Sequence, residues 1–278
     1  MNDPLFIERD GHRTWLKWHR ARRKASDPVF TGGRVLEAMR LGASVEVDLV
    51  RHADDGFAVL HDFSLERETT GAGSVRETSA AALRQLHLRG NDGQPLAEMV
   101  MLLEDLCTLL GRDPAHPDAL LQLDLKEDAT SIDEASVAHF ARSVAPVARN
   151  MILSGGDAVA VDRLAKATPG LRTGYDPCYG DSLDQLKRTG DFARFATEAL
   201  KTAPDAELIY LNYQIVLAAE DAGHDLVAPF HRDGRRIDAW TIREVTPESI
   251  GQVQRLLALK VDQITTDDPE GLYAALAQ

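Results

Sequence analysis

Several things this chain has little of narrow its identity before any motif is read. Among 278 residues there are only two cysteines, Cys107 and Cys178. That is too few for a disulfide framework, and a reducing cytoplasm is the expected setting. No apolar run approaches the roughly 20 residues that a membrane span requires, so no membrane insertion is expected. The opening stretch, MNDPLFIERDGHR, has neither a basic n-region nor an apolar h-region, and no signal peptide is read in it. Positive charge is also short, with 31 Lys and Arg against 44 Asp and Glu and a net charge of −13. Nucleic acid and anionic membrane surfaces are disfavoured as partners, because binding there rests on neutralising phosphates. HRARRK (19–24) is the one basic exception. No Pro/Gly/Ser-rich linker or internal repeat divides the chain.

Short strand-like runs alternate with longer helical ones. TWLKWHR (14–20) reads as a first strand, GRVLEAMRLG (33–42) as a helix stopped by glycine, and SVEVDLVR (44–51) as a second strand. An irregular stretch, 52–95, follows and contains the strand-like FAVLHD; AEMVMLLEDLCTLLG (97–111) then reads as an amphipathic helix. ALLQLDLKE (119–127) is a third strand and SIDEASVAHFARSVAPVA a third helix. NMILSG, LRTGYD, LIYLNY, IDAWTI and DQITTD complete a count of eight strands. Repeated βα units imply parallel strands, and eight of them in this length imply a closed α/β fold, the (β/α)8 TIM barrel. The expected organisation is a single barrel domain over 1–278 with a small subdomain inserted after strand two. A doubly wound open sheet is the alternative, but its glycine-rich fingerprint is missing after the first strand.

That fold makes the second strand informative. Val45, Val47 and Leu49 alternate with Glu46 and Asp48, so one face is aliphatic and the other carries two carboxylates about 7 Å apart. Parallel barrel strands are buried on both faces, and an unpaired buried carboxylate is costly. Glu46 and Asp48 therefore point inward and need a compensating cation, whether arginines or a metal. Strand three adds Asp124 and Lys126 on one face, strand one ends in His19 and Arg20, and the insertion supplies His61. All lie at or just after strand ends, on the side where barrels build their sites. Three carboxylates, Glu46, Asp48 and Asp124, suit a hard divalent cation, Mg2+ or Ca2+, as cofactor. The scarcity of cysteine and the absence of an H-x-x-x-H helix argue against zinc.

These residues resemble, in order, the pattern of the glycerophosphodiester phosphodiesterases. The matching positions are His19-Arg20, Gly42-Ala43, Glu46-Val47-Asp48, His61-Asp62 and Arg67-Glu68-Thr69-Thr70-Gly71. They continue with Asp124-Leu125-Lys126, Trp240-Thr241 and Thr266-Asp267-Asp268-Pro269. The resemblance implies metal-dependent cleavage of a small-molecule phosphodiester, with Glu46, Asp48 and Asp124 as ligands and His19 and His61 as the acid–base pair. Three departures stand out. Ala21 replaces the glycine usual after His-Arg, and Pro28-Val29-Phe30-Thr31 stands for Pro-Glu-Asn-Thr. Asp124 stands where the family usually has Glu, as in the related sphingomyelinase D branch. Ala21 and Val29-Phe30 are expected to reshape the mouth of the barrel around the leaving alcohol.

In this reading Arg20 and Lys126 hold the anionic phosphate oxygens, His19 is the base and His61 the acid, with the reverse assignment open. The nucleophile is water or a neighbouring hydroxyl, the latter giving a cyclic phosphate. Trp240 either walls the pocket or fills the barrel core. TTGAGS (69–74) is read as turn glycines rather than a phosphate cradle. The substrate is a glycerophosphodiester or a sugar phosphodiester. The alternatives are sphingomyelinase-D-like lipid cleavage and a degenerate barrel that binds a phosphorylated ligand without turnover.

Overall fold

The chain enters its fold through a hairpin that the sequence reading did not contain. In the computed structural model, which describes residues 5–178 and 180–276, β1 (Phe6–Arg9) pairs antiparallel with β2 (His12–Trp18). Residues 1–4, part of the stretch read for a signal peptide, lie outside the described residues. Asp10 and Gly11 form the two-residue loop with φ of 51° and 72°. Two positive φ values are what a turn matching the strand twist requires, and Asp-Gly supplies them. Arg13 stacks its guanidinium 4.0 Å from the centroid of the Phe6 ring, tying the added strand down. The first barrel strand thus starts at His12 rather than Thr14 and ends at Trp18, leaving His19 and Arg20 in a single 3-10 turn, His19–Ala21.

Beyond that turn the chain forms β3 (Ser44–Arg51), and within the insertion β4 (Phe57–Val59), β5 (His87–Arg89) and β6 (Pro95–Met99). It continues with β7 (Leu120–Leu125), β8 (Met151–Gly155) and β9 (Arg172–Tyr175). The last strands are β10 (Leu208–Asn212), β11 (Arg236–Ile242) and β12 (Gln263–Thr266). Eight of the twelve, β2, β3 and β7 through β12, pair in parallel in that order, and β12 returns to β2. The result is the closed TIM barrel expected from the sequence, with helices returning outside it. Among the described residues no helix is long and apolar enough to cross a membrane.

Two helix boundaries differ from the sequence expectation. The run 97–111 is not one helix: Pro95–Met99 is a strand paired with β5, and the helix is only Leu103–Leu110. Its start is set by the Asp105 carboxylate, which accepts the Leu102 N–H at 3.2 Å and satisfies an orphan donor of the first turn. Apolar periodicity carries no sign of that cap. The third helix shortens to Glu134–Val144, begun by Asp133, which accepts the Ser136 N–H at 2.8 Å.

The outward side chains of β3 and β7, among them Val45, Val47, Leu121 and Leu123, are fully buried beneath the helices. Inside the barrel the layers change character along its axis. Leu120, Ile152, Leu208 and Tyr210 form a small apolar cluster with Trp240 packed against it. Beside them Lys17, Gln122, Ser154 and Asp238 are buried and hydrogen-bonded to one another or to neighbours. A polar layer in so buried a place is tolerable because its members are paired.

Candidate active site

The side chains singled out from the sequence arrive from four strand ends and one inserted loop. On β3, Glu46 lies opposite Gln122 of β7 and Asp48 opposite Asp124. Carboxylate oxygens of Glu46, Asp48 and Asp124 fall within 4.8 Å of one another. Both acids of β3 point inward and are almost wholly buried, with residue exposures of 4% and 1%. Lys126 sits just past β7 with its Nζ 2.7 Å from Asp48 Oδ1 and bonded to Asp124 Oδ2. Arg20 contributes twice: its Nε lies 3.2 Å from Asp48 Oδ2, and its backbone N–H donates to Glu46 Oε2 at 2.7 Å.

The Arg20 N–H reaches Glu46 because the chain turns sharply there, with φ of 52° at Arg20 and 60° at Ala21. Phe30 also has φ of 60°, and its N–H donates to the Arg20 carbonyl at 3.0 Å. The left-handed region suits glycine and asparagine, the residue types that the family pattern has at 21 and 30. Ala21 and Phe30 hold the same backbone at about 1–2 kcal/mol each. Both are buried, and neither they nor Val29 line the cavity at the top of the barrel. The expectation that they reshape its mouth is therefore corrected: the departures sit behind Arg20, in the loop that supports it.

His19 and His61 are each held by a carboxylate. His19 Nδ1 lies 2.5 Å from Asp267 Oδ1, which also takes Arg22 at 2.6 Å. Burial lowers the His19 pKa below the usual imidazole value, although Asp267 pulls it the other way. His61 Nδ1 is 2.8 Å from Asp62 Oδ1. Asp62 is gripped by Arg67 Nε and Nη2, both at 2.5 Å, and those bonds bring its pKa down to about 2. Glu68 then fixes the loop by accepting the N–H groups of His61 and Asp62 at 2.9 and 3.0 Å. Thr69 accepts the Gly71 N–H, so the glycines after it serve a turn, as read from the sequence. His61, Asp62 and Glu68 could in composition hold a metal. The Asp62 and Glu68 carboxylates are instead committed to His61 Nδ1, to Arg67 and to backbone N–H groups, so they orient the His61 ring at the cavity.

All eight side chains, His19, Arg20, Glu46, Asp48, His61, Asp124, Lys126 and Trp240, line one cavity of about 210 Å³. Trp240 combines its two expected roles, walling this cavity and packing on the apolar layer below. Sequence reasoning assigned no role to Asp176, Tyr210 or Arg243, which also line it. Asp62 and Asp267 were visible only as neighbours of named residues in quoted motifs.

The acids of the cavity sit in unlike electrostatic surroundings. Lys126 and Arg20 outweigh burial and hold Asp48 below the ordinary carboxylate range. Burial, then repulsion from Asp48 and Asp124, pushes Glu46 well above it. Burial and its two acidic neighbours thus disfavour the charged form of Glu46, a penalty that a further cation nearby would relieve. Three clustered carboxylates with an oxygen-only donor set fit a hard divalent cation.

The family model described as glycerophosphoryl diester phosphodiesterase family matches residues 35–271. Among solved structures, the Thermotoga maritima glycerophosphodiester phosphodiesterase is 20% identical, with a TM-score of 0.64 over 95% of this chain and 99% of that one. An Oleispira antarctica phosphodiesterase in complex with the product sn-glycerol-3-phosphate is 18% identical, with a TM-score of 0.65 over 95% and 96%. A glycerophosphodiester phosphodiesterase from Parabacteroides distasonis is 18% identical, with a TM-score of 0.68 over 96% and 99%. At such identities these structures speak for the shared fold. No curated protein matches the chain. The family match spans the barrel from the first return helix to the last, and with it this chain belongs to the glycerophosphoryl diester phosphodiesterase family, whose members are phosphoric diester hydrolases.

Proposed function

We propose that this protein hydrolyses a small phosphodiester, of glycerophosphodiester or sugar-phosphodiester type, to a phosphomonoester and an alcohol. The observation that carries the reading is the convergence of two histidines, three acids, Arg20, Lys126 and Trp240 on one cavity. Glu46, Asp48 and Asp124 would hold one divalent cation, Mg2+ or Ca2+, which when bound supplies Lewis-acid stabilisation of charge on the phosphate. Arg20 and Lys126 take the remaining anionic oxygens, Arg by its fork and Lys as a point charge.

His19 is the base. A ring that donates Nδ1–H to Asp267 keeps Nε2 free to accept a proton, and burial favours its neutral form. His61, oriented by Asp62, donates a proton to the leaving alkoxide. The attacking oxygen belongs to water or to a hydroxyl next to the phosphate, the latter passing through a cyclic phosphate.

A cavity of about 210 Å³ suits a phosphate with a glycerol-sized arm. The second arm has room beside it. A cleft of about 510 Å³ shares Trp240, Thr241 and Arg243 with the cavity and is otherwise lined mostly by polar groups such as Asn212, Gln214 and Gln252. That lining favours a hydroxylated leaving alcohol, and it keeps the sugar-type diester beside the glycerol-type one. Two thiols outside any disulfide accord with a cytoplasmic enzyme. The degenerate-barrel alternative, a binder without turnover, rested on the lost Glu-Asn, and positions 29 and 30 lie outside the cavity. A phosphate-release assay with a coupled phosphomonoesterase tests the reading. Turnover of glycerophosphodiesters in Mg2+ is expected, and a folded, Mg2+-supplied protein with no turnover of any small diester would favour the binder.

A further inference from the structure

The shorter third acid raises a physical problem. Asp124 has one methylene less than the Glu of the family pattern, so its carboxylate reaches less far into the cavity. The polar layer beneath it offers an answer. Ser154 of β8 lies directly opposite Asp124 of β7, and its Oγ donates to Asp124 Oδ1 at 2.8 Å. Gln122 Nε2 donates to Ser154 Oγ at 2.8 Å and approaches Asp124 Oδ1 at 3.5 Å. Gln122 Oε1 in turn accepts from Lys17 Nζ, which also lies 3.0 Å from Asp238 Oδ2. Asp238 is completed by Gln263 Nε2 at 2.6 Å and Thr265 Oγ1 at 2.7 Å.

Donor chemistry gives this chain a single direction. An ammonium has no acceptor, so the oxygen of the Gln122 amide must face Lys17 and its nitrogen must face Ser154. Ser154 Oγ is thereby an acceptor toward Gln122, and its own proton is left for Asp124. Lys17, Gln122 and Ser154 are 1%, 5% and 0% exposed, so water does not compete for these bonds. Asp238 neutralises Lys17 locally. What reaches Asp124 is therefore an oriented donor rather than an added charge.

We propose that Lys17, Gln122 and Ser154 are positioning residues, a buried relay that fixes the Asp124 carboxylate for the divalent cation and compensates for its short side chain. This inference rests on the metal reading of the site given above. Outer partners of a ligating carboxylate commonly set metal affinity by 10–100-fold, and that range is expected here.

The test measures the Mg2+ dissociation constant calorimetrically on folded protein, for the wild type, Ser154→Ala, Gln122→Met and Ser154→Ala with Asp124→Glu. Circular dichroism and thermal melts accompany each. Ser154→Ala and Gln122→Met should each weaken Mg2+ binding about 10–100-fold while remaining folded. Adding Asp124→Glu to Ser154→Ala should recover at least about a tenfold part of that loss, because the longer acid no longer needs the strut. A purely structural role for the layer would not be rescued in this way. Unchanged affinity in both single variants overturns the relay, and so does a loss that Asp124→Glu leaves untouched. If neither single variant folds, the layer is a folding element and the positioning role is wrong. A wild type that binds neither Mg2+ nor Ca2+ refutes the metal reading itself, and the relay falls with it; the two failures are separated by the wild-type titration alone.

Discussion

Replacing Lys126 by methionine keeps most of the apolar stem and removes the ammonium, its charge and its N–H donors together. The Lys126 ammonium lies 2.7 Å from Asp48 Oδ1 and bonds Asp124 Oδ2, and the Asp48 side chain is 1% exposed. Breaking a buried ion pair from one side costs about 3–5 kcal/mol, because the partner is left charged and desolvated. The Lys126 and Asp124 side chains keep 24% and 19% exposure, so water at the mouth screens part of this. A loss of about 2–3 kcal/mol is the better expectation. At 2–4 °C per kcal/mol for a chain of this size, the melting temperature in chelator should fall by about 5–10 °C. A divalent cation among the same carboxylates should return stability, about 2.7 kcal/mol at a hundredfold excess over its dissociation constant. Thermal melts of both proteins in chelator and at one fixed Mg2+ concentration give the comparison, and the gap should narrow with metal, because the variant lacks the ammonium that competes with the cation for Asp48 and Asp124. Activity should stay lost, because the proposed role of Lys126 also includes a phosphate oxygen. An ordinary strand-end ion pair is worth about 0–1 kcal/mol. A shift under about 3 °C that is the same with and without Mg2+ would refute the reasoning.

The two histidines are separable by leaving group: His61→Ala should cost about 10²–10⁴-fold on alkyl diesters and far less on a nitrophenyl diester, whose leaving group departs without a proton. His19→Ala should impair both to a similar degree, and a mirror-image pattern would mean the roles are exchanged. Since burial lowers the His19 pKa, the acid limb of kcat/KM should lie below pH 6.5, and Asp267→Asn, which removes a raising influence, should move it lower still while reducing the maximum. A limb displaced upward contradicts that assignment. The same shift makes the unfolded chain bind more protons than the folded one, so the His19 contribution to stability is present above pH 6.5 and declines as pH falls toward its folded value. In the basic loop, Arg22 is committed to Asp267 and Arg23 to Glu37 and Glu270, whereas Lys24 is exposed. Arg22→Gln should therefore reduce kcat/KM, and Lys24→Gln should leave both kcat/KM and its salt dependence unchanged; a salt-dependent loss in Lys24→Gln would restore a steering role to the loop.

The barrel and the place of its acids were legible because the inferences were strongly constrained. Once eight βα units implied a parallel barrel, Glu46 and Asp48 had no wet face to occupy, and they do point inward together with Asp124. The eight side chains meet in one cavity because Glu46, Asp48, Asp124 and Trp240 face into the barrel from their strands, and His19, Arg20, Lys126 and His61 come from the segments that follow strands. What escaped the sequence depended on contacts distant in the chain. Asp267 lies 248 residues from the His19 it holds. Lys17 and Asp238 read as charged residues in strands until their pairing across the barrel is seen. Residues 97–99, the end of the strand Pro95–Met99, read as helix because their apolar residues merge with those of Leu103–Leu110, and the boundary is set by one side-chain cap at Asp105. Left-handed backbone at Ala21 and Phe30 was hidden by the residues themselves, since neither type advertises a positive φ.

The central claim is metal-dependent phosphodiester hydrolysis at Glu46, Asp48, Asp124, His19 and His61, and ³¹P NMR tests it most directly. Purified protein is given a panel of glycerol- and sugar-type diesters, first in chelator and then with Mg2+ or Ca2+ restored. The account predicts that diester resonances persist in chelator and convert to phosphomonoester when the cation returns, with any cyclic phosphate visible as a separate signal. Full turnover by protein shown metal-free by elemental analysis, or unchanged diesters with folded, metal-loaded protein, would contradict it.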